Sequence, residues 1–261
     1  MSTQTGPDQY LDVDGARLRW RRAGTGPALV LLHGWPLDLE YWDPLCALLT
    51  PQFTVMRFDR RGFGLSSGLP DIHRNVDDLR ALLDEVGVDR PVLIGMSQGA
   101  RLALHFAIRH SRHTRALVLE GAPAVETESE IPLAHYRELL AEQGLPALRA
   151  VMVRHPLLQL QTADPAMHAL LARVVNRYPA LDLQHQVPQA NAPDLAAIAI
   201  PTLILNGSQD SAARLAAGRK LQAVIASAHR QELPGAGHLA ALDDPAAYAV
   251  AVAAFCRALP P

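Results

Sequence analysis

The sequence is short of cysteine, of net charge and of long apolar runs, and each shortage closes off a class of protein. Its two cysteines, Cys46 and Cys256, stand near opposite ends. They cannot form a disulfide scaffold, and with no Cys or His at ligand spacing beside them they are expected to be buried thiols rather than zinc ligands. The 24 basic and 26 acidic side chains leave a formal charge of -2, with no blocks of one sign. That balance gives no electrostatic ground for a nucleic-acid or acidic-membrane partner. No uncharged apolar stretch approaches the roughly 18 residues needed to cross a bilayer. The opening MSTQTGPDQY has neither the basic nor the apolar region of a secretory signal. The expectation is a cytoplasmic protein without a membrane partner.

Glycine is scarce in one place only. Of 17 glycines a single one, Gly144, falls between Pro123 and Pro201, a window that holds nine of the 20 prolines. Composition therefore separates a glycine-rich frame, 1–123 and 197–261, from a proline-punctuated insert, 124–196.

The frame carries short apolar runs rich in β-branched residues, the pattern of buried parallel strands. These are Ala28–Leu32, Phe53–Phe58, Pro91–Met96, Ala116–Glu120 and Pro201–Asn206, with an edge strand at His229–Leu233 and an opening hairpin turning at Asp14-Gly15. Helical stretches alternate with them at Asn75–Val86, Gln98–His110 and Asp244–Leu259. The alternation predicts an α/β protein with a mostly parallel sheet. The insert shows no strand. It carries helix-period stripes at Leu133, Tyr136, Leu139 and Leu140, at Leu148, Val151 and Met152, and from Met167 to Val175, with prolines 146, 156, 165, 179 and 188 between or at the starts of the helices. A small helical lid between two strands is the expected result.

Chemistry is written at Gly95-Met96-Ser97-Gln98-Gly99, directly after one predicted strand and directly before a helix. A strand-turn-helix setting is what gives G-x-S-x-G a mechanism, since the glycines permit a tight turn that exposes the serine at the sheet's carboxyl edge. A serine needs a base, and the base needs an orienting acid. His238 follows the last predicted strand and Asp210 follows another, so both belong on loops at the same edge. His33-Gly34-Trp35-Pro36, after the strand Ala28–Leu32, offers the Trp35 N–H as a partner for the Gln98 N–H in an oxyanion hole. His33 is expected to fix that loop, and Asp59 to organise its own.

The signposts His33-Gly34-Trp35-Pro36, Asp59-Arg60-Arg61-Gly62-Phe63-Gly64-Leu65-Ser66, the Ser97 elbow, Gly207-Ser208-Gln209-Asp210 and Gly235-Ala236-Gly237-His238 together resemble the α/β-hydrolase superfamily over nearly the whole chain. HGWPL and DRRGFGLSS are similar to the cofactor-free haloperoxidase, perhydrolase and aryl-esterase branch, and the compact lid and length to 3-oxoadipate enol-lactonases. The resemblance implies an eight-stranded, mostly parallel sheet with a small lid after strand 6. It implies a triad of Ser97, Asp210 and His238, no cofactor and no metal, and a small ester or lactone substrate. Dehalogenases and epoxide hydrolases of the superfamily place an aspartate where Ser97 stands, which argues against both activities. Two departures stand out: the proline that often follows a few residues after the acid is missing, and Glu120 occupies a position from which some members supply the acid instead. Trp35, Trp42, Met96 and Met152 are expected to form an apolar pocket. Perhydrolysis or acyl transfer, C-C bond hydrolysis, and a hydrolase-fold receptor with little turnover are the alternatives on the same residues. Monomer or homo-oligomer is not decidable from sequence.

Overall fold

The computed structural model describes residues 6–123, 130–185, 187 and 193–260. Eight strands form one sheet: β1 (Gln9–Val13), β2 (Ala16–Ala23), β3 (Ala28–Leu32), β4 (Thr54–Phe58), β5 (Val92–Met96), β6 (Ala116–Glu120), β7 (Thr202–Gly207) and β8 (Ala228–Leu233). Their spatial order is β1-β2-β4-β3-β5-β6-β7-β8. β1 and β2 pair antiparallel, as does β2 with β4, and every later pair is parallel. β3 lies between β4 and β5, so successive crossovers leave β3 in opposite directions and open a crevice at its carboxyl end.

Nine α-helices accompany the sheet among the described residues: α1 (Asp43–Leu49), α2 (Ile72–Glu85), α3 (Gln98–Arg109), α4 (Leu133–Met152), α5 (Pro165–Arg177), α6 (Leu181–Gln184), α7 (Ala212–Val224), α8 (Ala240–Asp243) and α9 (Pro245–Ala258). The central strands bury both faces, as their unbroken apolar runs require. Leu29 and Leu31 point into one core cluster with α1 and α9, while Val30 and Leu32 point into the other with α2 and α3. None of the described helices is long and apolar enough to cross a membrane.

The segment between β6 and β7 is helical among its described residues, and its stripes pack down into the first core cluster through Tyr136, Leu139, Leu148, Met152, Leu171 and Val175. The two stripes sit on two helical segments, as expected, which follow one another within α4 across a kink at Gly144 (φ 79°, ψ 177°) with Pro146 just beyond. Pro188 lies outside the described residues. Two expectations need correction. α2 begins at Ile72 rather than Asn75, because Asp71 caps it by accepting from the His73 and Arg74 N–H groups. Cys46 is buried, but Cys256 is only partly so.

Candidate active site

β5 ends at Met96, and the chain turns into α3 through Ser97 at φ 52°, ψ -114°. A non-glycine residue in this region is strained and held by its surroundings. Here the Ser97 N–H donates to the Glu120 carbonyl at 2.8 Å, and the Ala100 N–H donates back to the Ser97 carbonyl at 3.0 Å. The two elbow glycines are required by space: a Cβ on Gly95 would lie 2.4 Å from the Gly99 carbonyl oxygen, and one on Gly99 would lie 2.0 Å from that of Leu32. α3 is thereby seated hard against β3 and β5, with its N-terminus at the serine.

β7 and β8 end beside this elbow. The Asp210 N–H closes a turn onto the Gly207 carbonyl at 3.1 Å, and the carboxylate accepts the Ser211 N–H at 2.8 Å. His238 Nδ1 stands 3.0 and 3.2 Å from the two Asp210 oxygens. Both side chains are buried. The pair is pressed against Gly121, where an added Cβ would meet the His238 ring at 2.8 Å and Asp210 Oδ2 at 3.3 Å. The three loops lie at one edge of the sheet. What faces the serine is not legible in the sequence: Ser97 Oγ accepts from Arg214 Nη1 at 3.5 Å, and no Ser97–His238 hydrogen bond is formed.

Arg214 is the residue that sequence reasoning missed. It stands four positions after Asp210, in the stretch where the proline was missed, and α7 starts at Ala212 so that its first turn aims this side chain inward. The guanidinium also donates to the Gly121 carbonyl at 3.1 Å and, through Nε, to Glu130 at 2.6 Å, while Ser211 Oγ donates to the other Glu130 oxygen. The missing proline was the one signal of it in the sequence.

Glu120, the alternative acid, is bonded to a different set of groups. Its Oε1 accepts from the Tyr41 hydroxyl at 3.1 Å and the Ala241 N–H at 3.4 Å, and its Oε2 has no partner among the described residues. Burial, reinforced by the Asp210 charge, pushes its pKa up to about 8. A carboxyl so placed is neutral at neutral pH and does not touch His238. His33 is buried, held between the Gly34 carbonyl at 2.8 Å and the Arg60 N–H at 2.9 Å, and burial together with the Arg60 charge holds its pKa well below the usual value. It fixes its loop, as expected. Asp59 likewise takes the Leu39 and Leu65 N–H groups at 2.7 and 2.8 Å.

The four side chains expected to form an apolar pocket are all buried, and among the described residues none of them lines an open cleft. Trp42 is fully buried beneath the site, edge-on to Tyr41 and Tyr248, and Met152 is buried in the same core cluster. Met96 is buried against Gly34, whose added Cβ would lie 2.4 Å from its sulfur. The Trp35 indole donates to the Tyr178 hydroxyl and to Asp182, both at 2.9 Å, and its ring stacks on Tyr136. Trp35 thus ties the loop after β3 to the helical segment. A cleft of about 110 Å³ is lined by Gln98 with Arg60, Phe63, Arg101, Leu133 and Arg137. Among the described residues no three His, Cys, Asp or Glu side chains converge on a metal-sized site.

The model of the α/β hydrolase fold family matches residues 27–245. The chain belongs to the α/β-hydrolase family. It is similar to a pimeloyl-[acyl-carrier protein] methyl ester esterase of Yersinia enterocolitica, 26% identical over 92% of this chain and 98% of that one. It is also similar to a fluoroacetate dehalogenase of a Burkholderia species, 31% identical over 57% of this chain, a match that spans only about half, 53%, of the relative. Among solved structures, an enol-lactonase from Burkholderia xenovorans superposes with a TM-score of 0.81 at 28% identity, covering 95% of this chain and 100% of the other. This α/β hydrolase therefore sits among esterases, lactonases and dehalogenases.

Proposed function

We propose that this hydrolase cleaves the carboxylic ester or lactone of a small molecule through an acyl-enzyme on Ser97. The observation that carries the reading is the Asp210–His238 pair, buried and bonded at Nδ1, set beside a serine held at positive φ at the N-terminus of α3. Asp210 fixes the imidazole so that its Nε2 takes the Ser97 proton, and it stabilises the imidazolium that forms. The serine oxygen adds to the substrate carbonyl. The Trp35 and Gln98 N–H groups receive the oxyanion, with the N-terminal end of α3 favouring the developing charge. His238 returns its proton to the leaving alkoxide, and water, activated by the same imidazole, releases the acid. For the proton transfer Ser97 must exchange its long Arg214 contact for one to His238, a tightening that catalytic hydrogen bonds undergo as substrate binds.

The dehalogenase relative does not shift this reading, because an ester or lactone acyl-enzyme on serine is the chemistry this elbow supports. Fluorophosphonate labelling followed by peptide mapping tests it. An adduct on Ser97 and many turnovers of p-nitrophenyl butyrate, both lost in Ser97→Ala, are expected. Labelling elsewhere, or full activity in Ser97→Ala, overturns the mechanism. A single slow acylation without turnover would mark a receptor instead.

A further inference from the structure

The cleft beside Gln98 holds more positive charge than its neighbours neutralise. Arg60, from the loop after β4, is buried, and its Nε has no partner among the described residues. Its remaining contacts are weak: a 3.3 Å hydrogen bond from Nη2 to the Gly34 carbonyl and a seat 4.3 Å over the Phe63 ring. Arg101 is half-buried on the first turn of α3, and Arg137 projects from α4 one turn after Leu133. Neither side chain makes a hydrogen bond or ion pair with a described residue, and that of Arg137 is exposed.

Two carboxylates reach the same cleft, and both are already engaged. Asp71 caps α2 through two N–H groups, and Asp182 takes the Tyr178 hydroxyl and the Trp35 indole. Burial pushes Arg60 down to about 10 although the Asp182 charge opposes it, and burial with the Arg214 charge lowers Arg101 too. Uncompensated cations in a half-closed space are costly unless a ligand supplies the anion.

We propose that Arg60, Arg101 and Arg137 form a subsite for an anionic group of the substrate, a carboxylate or phosphate carried a short spacer away from the scissile carbonyl. The placement follows from α3. Arg101 stands four residues beyond Ser97, about 6 Å along the helix axis, and Gln98, whose N–H is assigned to the oxyanion, lies in the same cleft wall. One ligand can therefore reach the nucleophile and the arginines together. This subsite rests on the esterase reading for its catalytic consequence and on the arginines alone for binding.

The test uses matched pairs of esters on the full chain. p-Nitrophenyl hemiglutarate is compared with p-nitrophenyl valerate, which has the same five-carbon acyl chain without the anion, and 4-acetoxybenzoate with phenyl acetate, which places the anion on the alcohol side. At least one anionic ester is expected to be preferred in kcat/KM by about tenfold, the equivalent of one charge-assisted hydrogen bond. In the Arg101→Gln, Arg137→Gln double variant that ratio is expected to fall to near one. Because each ratio is taken on one enzyme sample, partial misfolding cancels. The binding arm needs no turnover: glutarate and inorganic phosphate are titrated against Ser97→Ala, with melting temperature as readout. A rise in melting temperature that the two arginine substitutions abolish supports the subsite even if Ser97 proves unlabelled and the esterase reading fails. No anionic preference in either ester pair together with no arginine-dependent shift overturns the subsite, whatever the esterase activity.

Discussion

The carboxyl ends of β6 and β7 are neighbours in the sheet, and each delivers a carboxyl group that is almost fully buried, 1% exposed at Glu120 and 7% at Asp210. Their surroundings set them apart. Asp210 meets an imidazole nitrogen and a backbone N–H. Glu120 meets the Tyr41 phenol and one backbone N–H, with one oxygen unpartnered among the described residues. Asp210 can orient an imidazole, whereas a carboxyl facing neutral groups in a dry pocket keeps its proton. Position along the fold offers two acids, and the groups opposite them decide which can orient a base.

Exchanging each carboxyl for its amide tests this difference most severely. Asp210→Asn leaves the shape but presents an N–H to His238, favouring the wrong tautomer, and kcat on p-nitrophenyl butyrate should fall by about 10³ to 10⁴. Glu120→Gln should stay within about threefold of wild type, since a neutral group replaces a neutral group. If the Glu120 variant were the more damaged, the β6 end would be the functional one and the assignment of Asp210 would fail.

The same pair separates in stability against pH. Glu120 has a raised folded pKa, so the folded state holds a proton that the unfolded state releases above its ordinary value of 4.5. Wild-type stability should therefore decline as pH rises from about 4.5 to about 8 and level off above that. Glu120→Gln lacks this loss and should gain on wild type across the window by on the order of 3 kcal/mol. Asp59, pushed up to about 7 by burial first and then by Asp38, adds a decline of the same sign to both proteins and cancels in the difference. Urea unfolding at pH 5, 6.5 and 8 measures it; parallel curves for the two proteins would mean that Glu120 is ionised in the fold.

Arg214 joins the two strand ends and adds a third region. It bonds the Gly121 carbonyl after β6, starts from the turn after β7, and holds Glu130 at the entry to the helical segment. Arg214→Gln should lower stability by about 1 to 3 kcal/mol, because Glu130 loses its charged partner, with kcat changed by less than about tenfold. Arg214→Lys, which keeps the charge without the fork, should fall between. A collapse of kcat in Arg214→Gln at unchanged stability would instead place the guanidinium in the chemistry.

How much of this was legible depends on the range of the interaction. The sheet could be read because buried parallel strands leave unbroken runs such as ALVLL and PVLIGM, and the elbow because Gly95 and Gly99 are demanded by backbone contact that no side chain tolerates. The loops bearing Asp210 and His238 could be placed from strand ends alone. What faces what could not. Trp42 and Met152 were read as pocket residues because apolar side chains near a site look alike in sequence whether they line a cavity or fill a core. Arg60, Arg101 and Arg137 are scattered over three elements, and only the crossings of α3, α4 and the loop after β4 bring them to one cleft.

The smallest test concerns the neutral side of the comparison. Tyr41→Phe removes the hydroxyl that donates to Glu120 Oε1 at 3.1 Å and leaves that buried oxygen with only the 3.4 Å bond from Ala241. One net hydrogen bond is worth about 1 kcal/mol, and the loss should appear as an equal shift in unfolding midpoint on several ester substrates' worth of unchanged kcat/KM. Because the Tyr41 hydroxyl bonds Glu120 and makes no hydrogen bond to Asp210 or His238, no change in activity beyond about twofold is expected, far below the tenfold that 1.4 kcal/mol at the reacting centre would bring. A fall in activity larger than the stability loss explains would show that the β6 pocket, through Ala241 and α8, sets the position of His238, and the two carboxyl sites would then be one coupled unit.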